Sequence, residues 1–227
     1  MRIIFVRHGE PDYDRDCLTE EGKKQAAAAA ERLFRENISM IYTSPNGRAR
    51  ETASYTAALL GLPVIILDYM HEISWGGYQI AHNGHPWTLA DLMMEEGFDF
   101  RNQDWRKHPY FDGNAASDYY QMISLQFDAL LMEYGYRHEN LRFLCETDTD
   151  QTIALFSHGG SGACVLAHLL NLPFPYVASV MQFDYTSLIV LNFPVREGEY
   201  VFPRLELFND SAHIKKKSRR PILQQNC

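Results

Sequence analysis

The stretch Ile3-Ile4-Phe5-Val6-Arg7-His8-Gly9-Glu10 decides the fold class of this chain. Its four apolar residues, three of them β-branched, predict a short buried strand because the run is too brief for a helix. The chain then turns polar: Arg7 offers a fork of donors to an anion, His8 can attack a substrate or carry a proton, and Gly9 permits close backbone approach. Ligands of α/β proteins bind at the carboxyl ends of strands, so this junction is predicted to belong to a functional site.

Two later strands end in a similar way. The strand predicted at Met40–Thr43 leads through a turn into a helix, and Arg48 falls in its first turn, where free N–H groups and the helix dipole favour an anion. The strand predicted at Thr152–Ser157 leads directly into His158 and a glycine-rich helix start. We therefore predict an α/β fold whose strand ends gather four groups around a doubly charged tetrahedral anion. These groups are Arg7, His8, Arg48 and His158.

The bulk composition limits the classes of partner. A chain of 227 residues, 46% of them hydrophobic, can bury a sizeable core as one domain. Its net charge of −8 argues against nucleic acid as the main partner. We expect no membrane association and a cytoplasmic location, because no signal-like or membrane-spanning apolar run is apparent. The cysteines show neither metal-site nor disulfide spacing; they are Cys17, Cys145, Cys164 and Cys227.

Periodicity predicts several further elements. Thr19 suits a helix N-cap, and the following helix has an apolar face at Ala26, Ala29, Ala30, Leu33 and Phe34. A long amphipathic helix is expected over Met122–Tyr136. The runs Ser187–Phe193 and Tyr200–Leu207 are predicted to be edge strands.

The segment from Asp68 to Ser124 has a looser pattern that is rich in aromatic residues and histidines. We interpret it as an insertion with short helices that forms a lid over the strand ends, although aromatics of this density more often form a small satellite core than a substrate cage. The expected organisation is one catalytic domain at 1–214, including the 68–124 insertion, and a basic tail at 215–227 without assigned function. As a lid, the aromatic segment would favour a ring-bearing or apolar alcohol.

Several motifs together carry a resemblance to a known family. In chain order they are Arg7-His8-Gly9-Glu10, Leu18-Thr19-x-x-Gly22-x-x-Gln25-Ala26, Ser44-Pro45-x-x-Arg48-Ala49-x-x-Thr52-Ala53, His71-Glu72-Ile73, Ser157-His158-Gly159-Gly160 and Asn209-Asp210-x-x-His213. This set resembles the histidine phosphatase superfamily, in its phosphoglycerate-mutase-like branch. The match covers most of the chain in the right order, and the 68–124 segment is its least informative part.

The resemblance implies a three-layer α/β/α sandwich with a mostly parallel central sheet and a covalent phosphohistidine mechanism. His8 would be the nucleophile, and Glu72 would protonate the leaving oxygen and then activate water. Glu72 suits this task only with a raised pKa, which aromatic surroundings such as Trp75 can provide. The groups expected to hold the phosphoryl oxygens are Arg7, Arg48, His158 and Gly159.

Some positions depart from the family pattern. Asp14 stands where an asparagine that contacts phosphate is common, and Gly76-Gly77 stands where a Trp-Glu-Gly run is common. The segments that mutases use to hold a bisphosphate are not recognisable. We therefore favour hydrolysis of a small phosphorylated metabolite without metal or other cofactor. The alternatives are a cofactor-dependent phosphoglycerate-type mutase and a non-catalytic protein that binds a phosphorylated ligand. The oligomeric state stays open.

Two other sites are conceivable. Ser161 follows a strand in a near nucleophile-elbow pattern, with Asp184 or Asp210 and then His213 downstream, as in a serine hydrolase. That hypothesis leaves Arg7, His8 and Arg48 without a role. A zinc site from His71, His82 and His85 fits no standard ligand spacing.

Overall fold

A six-stranded sheet runs through the centre of the computed structural model, which describes residues 1–76, 86–147 and 149–214. In order across the sheet, its strands are β11 (Arg204–Asp210), β9 (Leu188–Asn192), β1 (Arg2–Arg7), β8 (Thr152–Ser157), β4 (Ile38–Thr43) and β5 (Val64–Ile66). β1, β8, β4 and β5 are parallel, whereas β9 and β11 run antiparallel to their neighbours. The sheet is therefore mixed, with the predicted parallel part at its centre and on one side.

The register of the two central strands positions the site. β1 and β8 pair with Arg7 opposite Ser157, so both strands end at the same level. The next residue of each strand is a histidine, His8 after β1 and His158 after β8. Two residues that are 150 positions apart in sequence thus emerge together at the carboxyl edge of the sheet.

Helices cover both faces of the sheet. They are α1 (Glu20–Leu33), α2 (Gly47–Leu60), α3 (Pro86–Glu95), α4 (Ala115–Glu133), α5 (Gly159–Leu170) and α6 (Phe174–Val180), with 3₁₀ turns at Asp68–Met70 and Trp105–Lys107. Ile3 and Phe5 of β1 join the core formed with α3 to α6. Ile4 and Val6 join a second core with α1 and α2. Because successive side chains of a strand point to opposite faces, these two cores show a helix–sheet–helix layering.

Helix α1 begins as predicted. The Thr19 hydroxyl accepts a hydrogen bond from the Gly22 N–H at 3.0 Å, which caps the helix. The predicted apolar face is buried at Ala26, Ala29, Ala30 and Leu33. Phe34 is the exception: it is 57% exposed, because the helix ends at Leu33 and the following side chain turns to solvent.

The C-terminal half differs from the prediction in three places. β9 lies between β1 and β11, so it is an interior strand rather than an edge strand. The run from Tyr200 divides, since β10 (Tyr200–Val201) leaves to join β7 (Arg142–Cys145) and β6 (Tyr136–Glu139) in a second sheet. Helix α4 accordingly ends at Glu133 instead of Tyr136, and Gly135 at a φ of 79° turns the chain into β6. A two-stranded ribbon of β2 (Pro11–Asp12) and β3 (Cys17–Leu18) completes the strands described.

The described parts of the 68–124 segment are packed into the protein. Leu89, Trp105 and Phe111 are buried in the same apolar core as Phe5 of β1. The extent of the insertion and its role as a lid stay predictions. His82, His85 and the basic tail lie outside the described residues. None of the helices in the described ranges combines the length and apolar character needed to cross a bilayer.

Candidate active site

The imidazole of His8 is held in one orientation. Its Nδ1 lies 2.7 Å from the Gly9 carbonyl oxygen, which can only accept a hydrogen bond, so Nδ1 carries the proton. The lone pair is therefore on Nε2, and the Arg48 Nε–H points at it over 3.4 Å. Burial lowers the pKa of His8 to about 3, with smaller contributions from the charges of Arg7 and Arg48. His8 is thus a neutral imidazole with Nε2 available for attack.

Arg48 is buried in the first turn of α2 and is 8% exposed. Its Nη1 forms an ion pair with the Asp16 carboxylate at 2.5 Å, and the other oxygen of Asp16 accepts from the Gly47 N–H at 2.6 Å. Burial acts against this ionised state, but the bonds from Gly47 and Arg48 hold the pKa of Asp16 below its usual value. Asp16 therefore fixes the guanidinium beside His8. Asp14, the position that departs from the family pattern, is exposed instead.

His158 lies beside His8, with ring centroids 5.1 Å apart. Its Nε2 is 2.7 Å from the Ser44 hydroxyl, and Ser44 donates its own proton to Asn46 Oδ1 at 3.1 Å. Nε2 of His158 therefore carries the proton, and its Nδ1 is buried without a hydrogen-bond partner among the described residues. Burial, and then the charge of Arg48, holds the pKa of His158 well below its usual value.

Arg7 completes the cationic group from the other side. Its Nη1 donates to the Phe183 carbonyl at 2.5 Å, and its guanidinium carbon lies 4.5 Å from the centre of the Tyr185 ring. Gly159 begins α5 directly beside it, since a Cβ at that position would lie 3.9 Å from the Arg7 guanidinium. Arg7 and the first turn of α5 thus face the same space.

Glu72 sits against the N-terminus of α5. Its Oε1 accepts from the Ile73 N–H at 3.0 Å and from the Ser161 N–H at 3.1 Å. A side chain at Gly160 would come within 2.6 Å of this oxygen, so the close approach requires glycine there. Burial raises the pKa of Glu72, although the surrounding N–H donors and the Arg48 charge oppose that rise.

The match to known proteins agrees with this arrangement. A family model described as "Histidine phosphatase superfamily (branch 1)" matches residues 3–206. The chain belongs to this superfamily. The match confirms the family predicted from the motifs, and a covalent phosphohistidine is characteristic of that family.

Relatives of this histidine phosphatase include both phosphatases and a probable mutase. A probable phosphoglycerate mutase GpmB of Photorhabdus laumondii is 28% identical over 182 residues, which is 76% of each chain. A glucosyl-3-phosphoglycerate phosphatase of Mycobacterium tuberculosis is 26% identical over 228 residues, covering 94% of this chain and 96% of its own. The solved mycobacterial glucosyl-3-phosphoglycerate phosphatase with inorganic phosphate has a TM-score of 0.64 at 26% identity, covering 94% and 99% of the two chains. The predicted fold class and phosphatase-type enzyme are thereby confirmed.

The histidine phosphatase site opens into a cavity of about 620 Å³. Its lining includes Arg7, Arg48, Glu72 and Gly159. Aromatic side chains dominate the rest of the described wall; they are Tyr13, Trp75, Trp87, Phe183 and Tyr185. Trp75 and Trp87 meet edge to face with centroids 5.6 Å apart. Tyr185 and Tyr13 pack against the two arginines, with guanidinium-to-ring distances of 4.5 Å for Arg7 and 5.5 Å for Arg48. We call the two arginines with Glu72 and Gly159 the cationic end of the cavity, and the Trp75–Trp87 pair its aromatic end.

The serine-hydrolase residues are not brought together. Ser161 is fully buried, and its hydroxyl is bonded to the Ser157 hydroxyl at 2.7 Å. His213 instead lies 3.1 Å from the Thr186 hydroxyl, and Asp210 pairs with Arg32. His71, the described member of the zinc hypothesis, is bonded to the Glu72 carbonyl through Nδ1 at 2.9 Å.

Sequence reasoning missed the residues that orient the site. Asn46 Oδ1 accepts from the Ser44 hydroxyl and from the Glu72 N–H at 3.2 Å, so it links the His158 side of the site to Glu72. Asp16 is the other omission. A buried arginine requires a counter-charge, but nothing in the sequence tells which of the acidic residues supplies it.

Proposed function

We propose that this chain hydrolyses phosphomonoesters through a phosphohistidine on His8. The observation that carries the proposal is the orientation of this imidazole: the Nδ1 bond to Gly9 leaves the Nε2 lone pair beside the Arg48 guanidinium. An anion bound by Arg48 lies next to the nucleophilic nitrogen. Because the pKa of His8 is about 3, no proton has to leave this ring before it attacks near neutral pH.

In the first step of the proposed reaction, the His8 Nε2–P bond forms as the P–O bond to the alcohol breaks. Arg7, Arg48 and His158 stabilise the charge on the phosphoryl oxygens. Glu72 gives a proton to the leaving oxygen, and its raised pKa supports this role. In the second step water attacks phosphorus, the P–N bond breaks, and Glu72 takes the proton from water.

We propose that the two guanidinium groups replace a metal ion in this reaction. A positive charge beside a transferring phosphoryl group lowers the activation barrier of the transfer, whether a metal ion or an arginine supplies that charge. Within the described residues, the only triad of potential metal ligands with suitable spacing is Asp128, His138 and His168. None of the three is among the described residues that line the active-site cavity.

The proposed substrate is a small phosphorylated metabolite whose alcohol part contacts the aromatic end of the cavity. A phosphoglycerate-type mutase is the second candidate, because one relative bears the name of a probable phosphoglycerate mutase. Incubation with 3-phosphoglycerate and 2,3-bisphosphoglycerate distinguishes the two reactions. A hydrolase releases inorganic phosphate, whereas a mutase accumulates 2-phosphoglycerate.

Two broader predictions are retained as part of the proposal. The described cysteines, Cys17, Cys145 and Cys164, are free thiols, which supports a reducing, cytoplasmic location. We also retain one catalytic domain at 1–214 and a separate tail at 215–227.

The test is hydrolysis of p-nitrophenyl phosphate in excess chelator, followed by acid-free rapid quenching to trap phosphorylated protein. We expect turnover and a base-stable phosphohistidine, both lost in His8→Gln by about 10⁴-fold or more. His108→Gln is the matched control because His108 lies outside the cavity lining. Phosphate binding without turnover would support the non-catalytic alternative, and full activity of His8→Gln would overturn the mechanism.

A further inference from the structure

A second group of chemically active side chains lies away from the catalytic centre. Asp128 on α4, His138 on β6 and His168 near the end of α5 offer ligand atoms that all lie within 4.8 Å of one another. α5 carries His158 at its N-cap, so His168 is about 15 Å along the helix from the active site. The cluster and the phosphoryl site are therefore at opposite ends of α5.

The two rings converge on one point. His138 Nδ1 is 3.0 Å and His168 Nε2 is 2.7 Å from the same carboxylate oxygen, Oδ1 of Asp128. Burial alone would raise the pKa of Asp128, but the bonds from the two histidines outweigh it and hold the pKa low, so the carboxylate is ionised. Two imidazole nitrogens and one carboxylate oxygen form a common donor set for a divalent transition metal.

The positions of the rings are fixed by packing. His138 stacks on Phe143 with ring centroids 4.2 Å apart, and it meets His168 edge to face at 4.8 Å. The side chains of His138 and His168 are 12% and 13% exposed. Nε2 of His138 is buried and has no hydrogen-bond partner among the described residues, so Asp128 and Phe143 hold this ring.

The cluster also has room beside it. His168 lines a groove of about 890 Å³, together with aromatic and polar residues of the 98–106 loop and α6. Ligands of a tetrahedral zinc ion lie about 3.3 Å apart for metal–nitrogen distances of about 2.0 Å. The nitrogen–oxygen separations of 2.7 and 3.0 Å reach this value if the carboxylate withdraws by less than about 1 Å, and the two imidazole nitrogens, which lie within 4.8 Å of each other, would adjust to the same spacing. Water from the groove can then complete the coordination.

We propose that Asp128, His138 and His168 bind one divalent transition-metal ion of the zinc type, with the fourth position open to the groove. The ion joins α4, β6 and α5, three elements that without it meet through side-chain packing and through the hydrogen bonds of the two histidines to Asp128. Its effect is on the stability of this end of the protein. Because the site is remote from His8, the ion does not take part in phosphoryl transfer.

The test begins with chelator-treated full-length protein that is then dialysed against Zn²⁺ and analysed for bound metal. We expect one ion per chain, with a Kd on the order of 1 μM or lower. The melting temperature should rise by about 3 °C or more. Cobalt(II) in place of zinc should give the intense visible bands of four-coordinate geometry.

Single-residue variants test whether the ion binds at Asp128, His138 and His168. His168→Gln keeps an N–H donor for Asp128 but should lose the bound metal and the rise in melting temperature; Asp128→Asn should behave alike. His108→Gln is the control, since His108 has one carboxylate neighbour, Glu96, at 3.7 Å. His8→Gln tests the competing location at the catalytic histidines and should keep the ion.

Three outcomes would overturn the site. They are absence of metal uptake at 100 μM Zn²⁺, equal uptake by His168→Gln, and loss of uptake in His8→Gln. Circular dichroism of each variant in chelator checks that it is folded. Should His168→Gln not fold, the cobalt spectrum of the unaltered protein still decides, because weak bands of six-coordinate geometry contradict the proposal.

Stoichiometric Zn²⁺ should leave the hydrolysis rate unchanged within about twofold, whatever the substrate.

Discussion

The two ends of the active-site cavity are built in different ways. At the cationic end, His8 and His158 are 1% and 0% exposed, and each ring is held by a hydrogen bond to a fixed partner. At the aromatic end, Trp75 and Trp87 are only partly buried and contact each other through ring edges. Directional bonds fix the two imidazole rings, whereas aromatic surfaces accept more than one shape of ligand. We infer that the first end determines the reaction and the second the choice of substrate.

Glu72 offers the sharpest test of this division. Glu72→Gln should reduce hydrolysis of an alkyl phosphate by about 100-fold, but that of p-nitrophenyl phosphate by about tenfold or less, because a good leaving group needs little protonation. In the unaltered protein the rate should fall as the pH rises through the raised pKa of Glu72, because the acid form is the active one. In Glu72→Gln this fall should be absent. Steady-state kinetics from pH 5 to 9 measure both effects. Equal losses on the two esters would remove the acid role.

Trp87 tests the aromatic end. Trp87→Ala should lower kcat/KM for ring-bearing phosphate esters by about tenfold and leave glycerol phosphate unchanged within about twofold. Phe202→Ala is a suitable control, because Phe202 is an aromatic residue with 60% exposure that is absent from the described cavity lining. A uniform loss on all esters would mean that Trp87 supports the reaction itself and not substrate choice.

The buried neutral state of His8 should appear in the acid stability of the protein. The pKa of His8 is about 3 in the folded chain and near 6.5 when exposed, so the unfolded chain binds the extra proton between these values. The unfolding free energy therefore falls as the pH decreases below about 6.5, by up to about 1.4 kcal/mol per pH unit from this residue. In His8→Gln that contribution is absent. We compare the two proteins by urea unfolding at pH 7, 6 and 5. The unfolding free energy of the unaltered protein minus that of His8→Gln should decrease as the pH falls. A difference that does not change with pH would contradict a buried neutral His8.

Binding of phosphate at the catalytic centre should add up to one proton to His158. A dianion beside the partnerless Nδ1 favours the imidazolium form, against the effect of burial on the pKa. Calorimetry of phosphate binding at pH 8 in buffers of different ionisation enthalpy should therefore show uptake of about 0.5 to 1 proton. His158→Asn should abolish that uptake. No buffer dependence in the unaltered protein would indicate that His158 stays neutral in the complex.

Local patterns predicted the parts of the site that follow a strand directly. His8 and His158 come immediately after buried runs, and the parallel register of β1 and β8 makes their proximity a consequence of strand order. Arg48 was predictable for a similar reason, since it stands in the first turn of a helix after β4. Thr19 was also predictable, because its capping bond is made within one helical turn. The place of each residue at the end of its strand or in the first turn of its helix depends on neighbours close in sequence, whereas the proximity of His8 and His158 depends on the pairing of β1 with β8.

Other contacts depend on how the loops and sheets fold back. Asp16 rather than Asp14 reaches Arg48 because of the path of the loop between β2 and β3, where Asp16 adopts a φ of 49°. The interior position of β9 depends on its pairing with both β1 and β11, which no local pattern specifies. Phe34 has the right spacing for the buried face of α1 and is nevertheless exposed, because the helix ends just before it.

The sequence by itself determined the central strands and the helices that follow them, the residues at the ends of those strands, and the family, since these depend on short-range periodicity and motif spacing. Only the tertiary structure decided which carboxylate pairs with Arg48, how Asn46 links Ser44 to Glu72, and that Asp128 and His168 meet across two helices. Such partners are selected by the packing of distant segments. Their free energies depend on burial and geometry, which exist only once the chain has folded.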